Sequence, residues 1–163
     1  MKLTLAEANR KAQQLKLECS RILREEENTC TYAHGEGEEP LPQNYSFSST
    51  QKRLKALHEK IARIRHAVSL YNVTHMVSGM GITIDEALVR IAMLSETKRR
   101  LDEMCLIPEI ERRSQYRTVD IVHRNFNVDE VRAEAERVTD ELNRLRAALD
   151  LTNLTSMIEL DLG

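Results

Sequence analysis

The chain repeats itself, and that constrains its fold more than any other feature. Residues Ile61 to Val77 align with Leu142 to Ile158 at an offset of 81, matching Arg63 with Arg144, Ala67 with Ala148, Leu70 with Leu151, Asn72 with Asn153, Thr74 with Thr155 and Met76 with Met157. Thr4, Glu7, Ala8 and Leu15 match Thr83, Glu86, Ala87 and Leu94 at an offset of 79, and Phe47 meets Phe126 at that same offset. Whatever structure suits one copy must suit the other. The chain therefore reads as one domain, residues 1–163, made of an internal repeat, 1–80 and 81–163, whose copies cover each other's apolar faces about an approximate two-fold axis.

The pattern inside each copy is helical. Leu5, Ala8, Ala12, Leu15, Cys19 and Ile22 alternate spacings of three and four, which lines them up along one helix face. The same spacing recurs at Leu54, Leu57, Ile61, Ile64, Val68 and Tyr71, then at Ile84, Ala87, Ile91, Leu94 and Leu101, and finally from Val128 and Val131 through Ala135, Val138, Leu142 and Leu145 to Leu149. With no Trp and only two Phe, the core must be aliphatic, the composition of helix bundles. These features predict a mainly α fold: an antiparallel four-helix bundle from two tandem helical hairpins, with short β strands or hairpins in the connections.

Capping-box spacing at Ser48 with Gln51, Thr83 with Glu86 and Asn127 with Glu130 marks three helix starts. The second helix is expected to end near Val77, where Ser78-Gly79-Met80-Gly81 supplies a turn, and the third must stop before Pro108. Residues 28–47 and 107–126 are long connections, and unstructured loops of that size are uncommon in compact domains. Thr118 to Phe126, rich in β-branched residues, reads as a strand, and Thr29 to Ala33 and Asn44 to Phe47 as short strands around the turn from His34 to Pro40. Exposed strand edges seek partners, so a homo-oligomer, a dimer or a larger even number, is expected.

The Thr-x-x-Glu-Ala opening at Thr4 and Thr83, the Gly37-Glu38-Glu39-Pro40 loop, Asn72-Val73-Thr74, the Tyr116 to Phe126 strand and the Asn127 to Glu130 cap resemble the septicolysin-like family of small helical proteins over nearly the whole chain. The resemblance implies the helical architecture and no particular activity. The cytolysin in the family's name is not expected here, since the residues show no export signal and no long amphipathic segment free of charge on its apolar side.

Charge and cysteine usage narrow the function classes. A formal charge of -2 supplies no broad positive field for nucleic acid or anionic lipid. The longest apolar run, Ile91 to Leu94, falls far short of the roughly 18 residues of a spanning helix. The reading is therefore a cytoplasmic protein with no membrane partner. Cys19, Cys30 and Cys105 form no CxxC pair and read as reduced thiols, Cys19 in the core and Cys30 in a loop.

The residues offer few chemical groups at useful spacing. Histidines 34, 58, 66, 75 and 123 form no Glu-x-x-His pair and no His-Glu-x-x-His helix, so no metal or other cofactor is expected. Asp120 and His123, three apart on a strand, face opposite sides. Gly79-Met80-Gly81 lacks the third glycine of a dinucleotide fingerprint. The duplicated Asn-x-Thr is the candidate ligand site: Asn72, Thr74, His75, Asn153 and Thr155, near two helix ends. Its structural alternative is a helix C-cap with the Thr hydroxyl bonded to a carbonyl one turn back. Arg99, Arg100, Arg112, Arg113, Arg117 and Arg124 form a possible basic patch for nucleic acid, opposed by the interleaved Glu103, Glu109 and Glu111. Without a catalytic constellation, the leading expectation is a homo-oligomeric structural or interaction protein, ahead of a ligand binder or enzyme using Asn-x-Thr and of a nucleic-acid adaptor.

Overall fold

A computed structural model of the chain describes residues 1–115 and 118–161. Tyr116 and Arg117, part of the expected strand and of the arginine cluster, lie outside the described residues. The fold is mainly helical. Among the described residues the order is β1 (Lys2–Thr4), α1 (Leu5–Thr29), α2 (Phe47–Thr74), α3 (Ile84–Cys105), β2 (Ile110–Gln115), β3 (Thr118–His123), α4 (Val128–Thr155) and β4 (Met157–Glu159).

Local chemistry sets the helix starts. Thr4 accepts the Glu7 amide at 3.1 Å while the Glu7 carboxylate accepts the Thr4 amide at 2.8 Å, a complete capping box. The Thr4 amide bond, with the Thr4 hydroxyl and the Arg10 charge nearby, favours the ionised carboxylate and holds the Glu7 carboxyl below its usual range. Thr83 adopts the same backbone conformation as Thr4, φ -70 and ψ 160, and accepts the Glu86 amide at 3.1 Å. Asn127 caps α4 through the Asp129 amide at 2.9 Å. For α2 the expected start is corrected: the chain turns helical at Phe47, and Ser46 rather than Ser48 receives an amide bond, from Ser49. The α2 C-terminus comes earlier than Val77, at Thr74, because residues from Met76 onward enter extended pairing.

The chain forms two compact units, residues 1–74 with 152 onward, and residues 75–151. In the first, α1 packs on α2, and β1 pairs antiparallel with β4 in the register Lys2 with Glu159, Leu3 with Ile158 and Thr4 with Met157. The stripe of α1 is buried at all six positions, as are Leu54, Ile61, Ile64 and Val68 of α2, with Ile158 and Leu160 buried beside β1. In the second, Leu101 of α3 and Val131, Ala135 and Val138 of α4 make one cluster, against which Leu94, Met104, Cys105 and Phe126 pack half-buried.

The units do not follow the tandem halves, because each takes a strand from the far end of the other copy. Met76, just after α2, pairs with Thr83, just before α3, while Met157, just after α4, pairs with Thr4, just before α1. The backbone bonds repeat as well: Ile84 N–H to His75 O at 2.9 Å has its counterpart in Leu5 N–H to Ser156 O at 3.1 Å. The Met76 to Thr83 reversal needs Gly79 and Gly81 at φ 73 and 67, a region that costs other residues about 1–2 kcal/mol.

The two connections correct the expectation of strands in both. Residues 30–46 hold no strand among the described residues, because Thr29 completes α1 and Pro40 and Pro42 remove ladder donors close by. The turn is present, closed by Glu38 N–H to Gly35 O at 3.1 Å. The second connection is a hairpin of β2 and β3, paired from Ile110 with His123 to Gln115 with Thr118. The β-branched run of Thr118 to Val122 is a strand, but its partner, the arginine-bearing Ile110–Gln115, gave no apolar signal.

Candidate functional site

The duplicated Asn-x-Thr residues fall at the helix ends they were expected to occupy. Asn72 and Thr74 lie in the last turn of α2, and Asn153 and Thr155 in the last turn of α4, all four in the first unit; His75 belongs to the second. The Thr74 hydroxyl donates to Leu70 O at 2.8 Å and lies 3.3 Å from Tyr71 O, and the Thr155 hydroxyl donates to Thr152 O at 3.5 Å. The Thr155 hydroxyl shares its carbonyl with the Ser156 amide, which donates to Thr152 O at 2.9 Å, so each threonine bonds back onto its own helix end rather than into a cavity. Asn72 and Asn153 are half-buried, and His75 contributes its backbone carbonyl to Ile84.

Of the described arginines of the cluster, Arg99 and Arg113 have acidic partners on their own element. Arg99 pairs with Glu103 at 2.6 Å one helical turn on, and Arg113 with Glu111 at 2.9 Å on the same face of β2. That carboxylate raises the Arg113 pKa further above its ordinary range. Arg124 donates to Ile107 O at 3.2 Å and lies 5.6 Å from the centre of the Phe126 ring. Arg124 thus ties the end of the hairpin to the end of α3. Among the described residues no three His, Cys, Asp or Glu side chains converge as metal ligands would, and no helix is long and apolar enough to cross a membrane.

One polar groove was not legible in the sequence. It lies in the first unit, about 370 Å³ in volume, lined by Glu26, Thr29, Tyr45, Ser46, Ser49 and Arg53 among others. The Tyr45 hydroxyl donates to the Glu26 carboxylate at 2.5 Å, pinning the long connection to α1. That bond, with desolvation and the negative charge of Glu26, pushes the Tyr45 pKa up to about 12. Tyr45 is therefore a neutral donor at physiological pH, and the arrangement clasps a loop without activating a nucleophile. Position 124, equivalent at an offset of 79, is an arginine that bonds Ile107 O, two residues past the end of α3.

The hairpin is the segment with the least internal support. The pleat and register place Ile110, Arg112, Ser114, Val119, Ile121 and His123 on one face. Ile110, Val119 and Ile121 are 56, 59 and 55% exposed, and every residue of β3 is exposed. Among the described residues neither strand has a third neighbour, so both outer edges carry open ladder groups. The opposite face holds Glu111, Arg113, Asp120 and Val122, where the Glu111 to Arg113 pair marks a solvated side.

No protein-family model matches the chain, and no curated protein does. A solved structure shares its fold. That is the crystal structure of a functionally unknown conserved protein from Corynebacterium diphtheriae, similar at a TM-score of 0.74 and 15% identity over 98% of this chain and 100% of that one.

Proposed function

We propose that the protein is a homo-oligomeric structural and interaction protein of the cytoplasm, without catalytic activity, which assembles through its β2–β3 hairpin. The observation that supports this is the hairpin itself: a two-stranded ribbon is marginal in water, yet this one carries three exposed β-branched residues on one face and two open edges. Edge pairing with the hairpin of a second copy would satisfy the ladder groups and cover Ile110, Val119 and Ile121 together. The closing of all four helices as one antiparallel bundle, and the septicolysin-like resemblance of the motifs, belong to the same proposal. Asn-x-Thr ranks below it as a ligand site, because its hydroxyls already bond their own helix carbonyls.

Sedimentation at micromolar concentration tests the reading. The wild-type chain is expected to run as an even-numbered oligomer, and the double substitution Val119→Lys, Ile121→Lys to lower its mass while leaving the helical circular dichroism intact. A monomeric wild-type chain would sink the proposal.

A further inference from the structure

The two copies agree on their inward faces and disagree on one outward face. Where α1 carries Asn9, Arg10, Gln13 and Gln14, all exposed, α3 carries Leu88, Val89, Ala92 and Met93 at the equivalent positions. Leu88, Val89 and Met93 are 44, 54 and 64% exposed, and Ala92 is exposed beside them. Their spacing of one and four places the four side chains together on about one turn and a half of helix. A single exposed leucine is ordinary surface, but an apolar cluster that replaces four polar residues of the same scaffold marks a contact.

The charges around the cluster say what fits it. Asp85 and Glu86 precede it on α3, and Lys98, Arg99 and Arg100 follow it. An antiparallel copy of α3, turned about a two-fold axis between Ala92 and Met93, brings Asp85 opposite Arg100, and sets the Glu86–Arg90 ion pair of one helix, 2.6 Å, beside the Arg99–Glu103 pair of the other, also 2.6 Å. The helix dipoles then oppose one another as well. A parallel copy would set like charges against like. The residues of α3 thus form a self-complementary surface.

We infer that this face of α3 is a two-fold docking surface for α3 of a second copy of the chain. The inference rests on the self-association proposed above and adds a second contact, separate from the hairpin. Two such contacts on one chain also give assemblies larger than a dimer.

The test gives α3 the surface of α1: Leu88→Asn, Val89→Arg, Ala92→Gln and Met93→Gln in the full-length chain, with helical content checked by circular dichroism. Sedimentation mass is expected to fall by a factor of about two relative to wild type, one two-fold contact being lost. As a second measurement, Asp85→Lys with Glu86→Lys in one chain, and Arg99→Glu with Arg100→Glu in another, should each weaken association, and an equimolar mixture should restore it. An associating wild type whose mass is unchanged by the four substitutions overturns the α3 surface while leaving the hairpin proposal standing. Loss of mass without restoration by the mixed charge variants overturns the antiparallel pairing. A wild-type chain that is monomeric overturns both, and leaves a different protein as the occupant of the face.

Discussion

The two long connections leave equivalent helices and arrive at equivalent phenylalanines, yet one is an irregular loop and the other a hairpin. Residues 30–46 contain Gly35, Gly37, Pro40 and Pro42, which break ladders, and the loop is held to α1 by a side-chain clasp from Tyr45 to Glu26. Residues 110–123 contain Ile110, Val119, Ile121 and Val122, which pair well on a pleated surface, and Arg124 ties the far end of the hairpin to Ile107, just past α3. The helices that the connections leave begin alike, at threonines of the same φ and ψ, Thr4 in a full capping box and Thr83 with its hydroxyl on the Glu86 amide. A duplicated scaffold therefore holds its ends constant while the linking segments diverge. The second copy has put that freedom into exposed apolar surface, on both the hairpin and α3.

The sharpest way to break the comparison is to separate the copies. Residues 1–80 expressed alone lack Ile158 and Leu160, both buried in the first unit, and lack the strand that pairs with β1. Circular dichroism and gel filtration are expected to show an unfolded or self-associated chain; a stable monomeric half would contradict the strand exchange. The next effect is smaller and compares equivalent phenylalanines. Phe126 packs half-buried on the α3–α4 cluster and Phe47 is 64% exposed, so Phe126→Ala should cost about 2–3 kcal/mol by urea unfolding and Phe47→Ala less than about 1. Equal costs would mean that the two connections anchor alike.

The smallest effect concerns the Tyr45 clasp. Its folded-state pKa is raised from 10.0 to about 12 by the Glu26 bond, so its contribution is complete below pH 10 and is lost as pH rises towards 12. A Tyr45→Phe chain should be less stable than wild type at neutral pH, and the difference should shrink across that window. Urea midpoints at pH 8 and pH 11 measure it, and a gap that stays constant would show that the clasp contributes nothing.

Much of this was legible because it is local. All six stripe residues of α1 are buried, as their spacing predicts. In α3 the same spacing gave the right side of the helix but not the depth, and Ile91 and Leu94 are only half-buried, because coverage depends on residues distant in sequence. Ser48 looked like a cap by its distance to Gln51, but Phe47 had already turned helical. β2 escaped notice because Glu111-Arg112-Arg113-Ser114 has no apolar alternation, and its strand character comes from lying opposite Val119 to Val122. The Tyr45 and Glu26 pair, nineteen residues apart, has no periodic signature.

Helical periodicity and the threonine and asparagine caps follow from interactions within a few residues, so the linear order of amino acids is enough to state them. The exchange of terminal strands is different. Lys2–Thr4 and Met157–Glu159 are three-residue segments at opposite ends of the chain, too short to carry an alternating pattern, and they become strands because the folded units bring complementary backbone groups together. Backbone hydrogen bonding is the same for every residue, so sequence cannot name its long-range partners; three-dimensional proximity does.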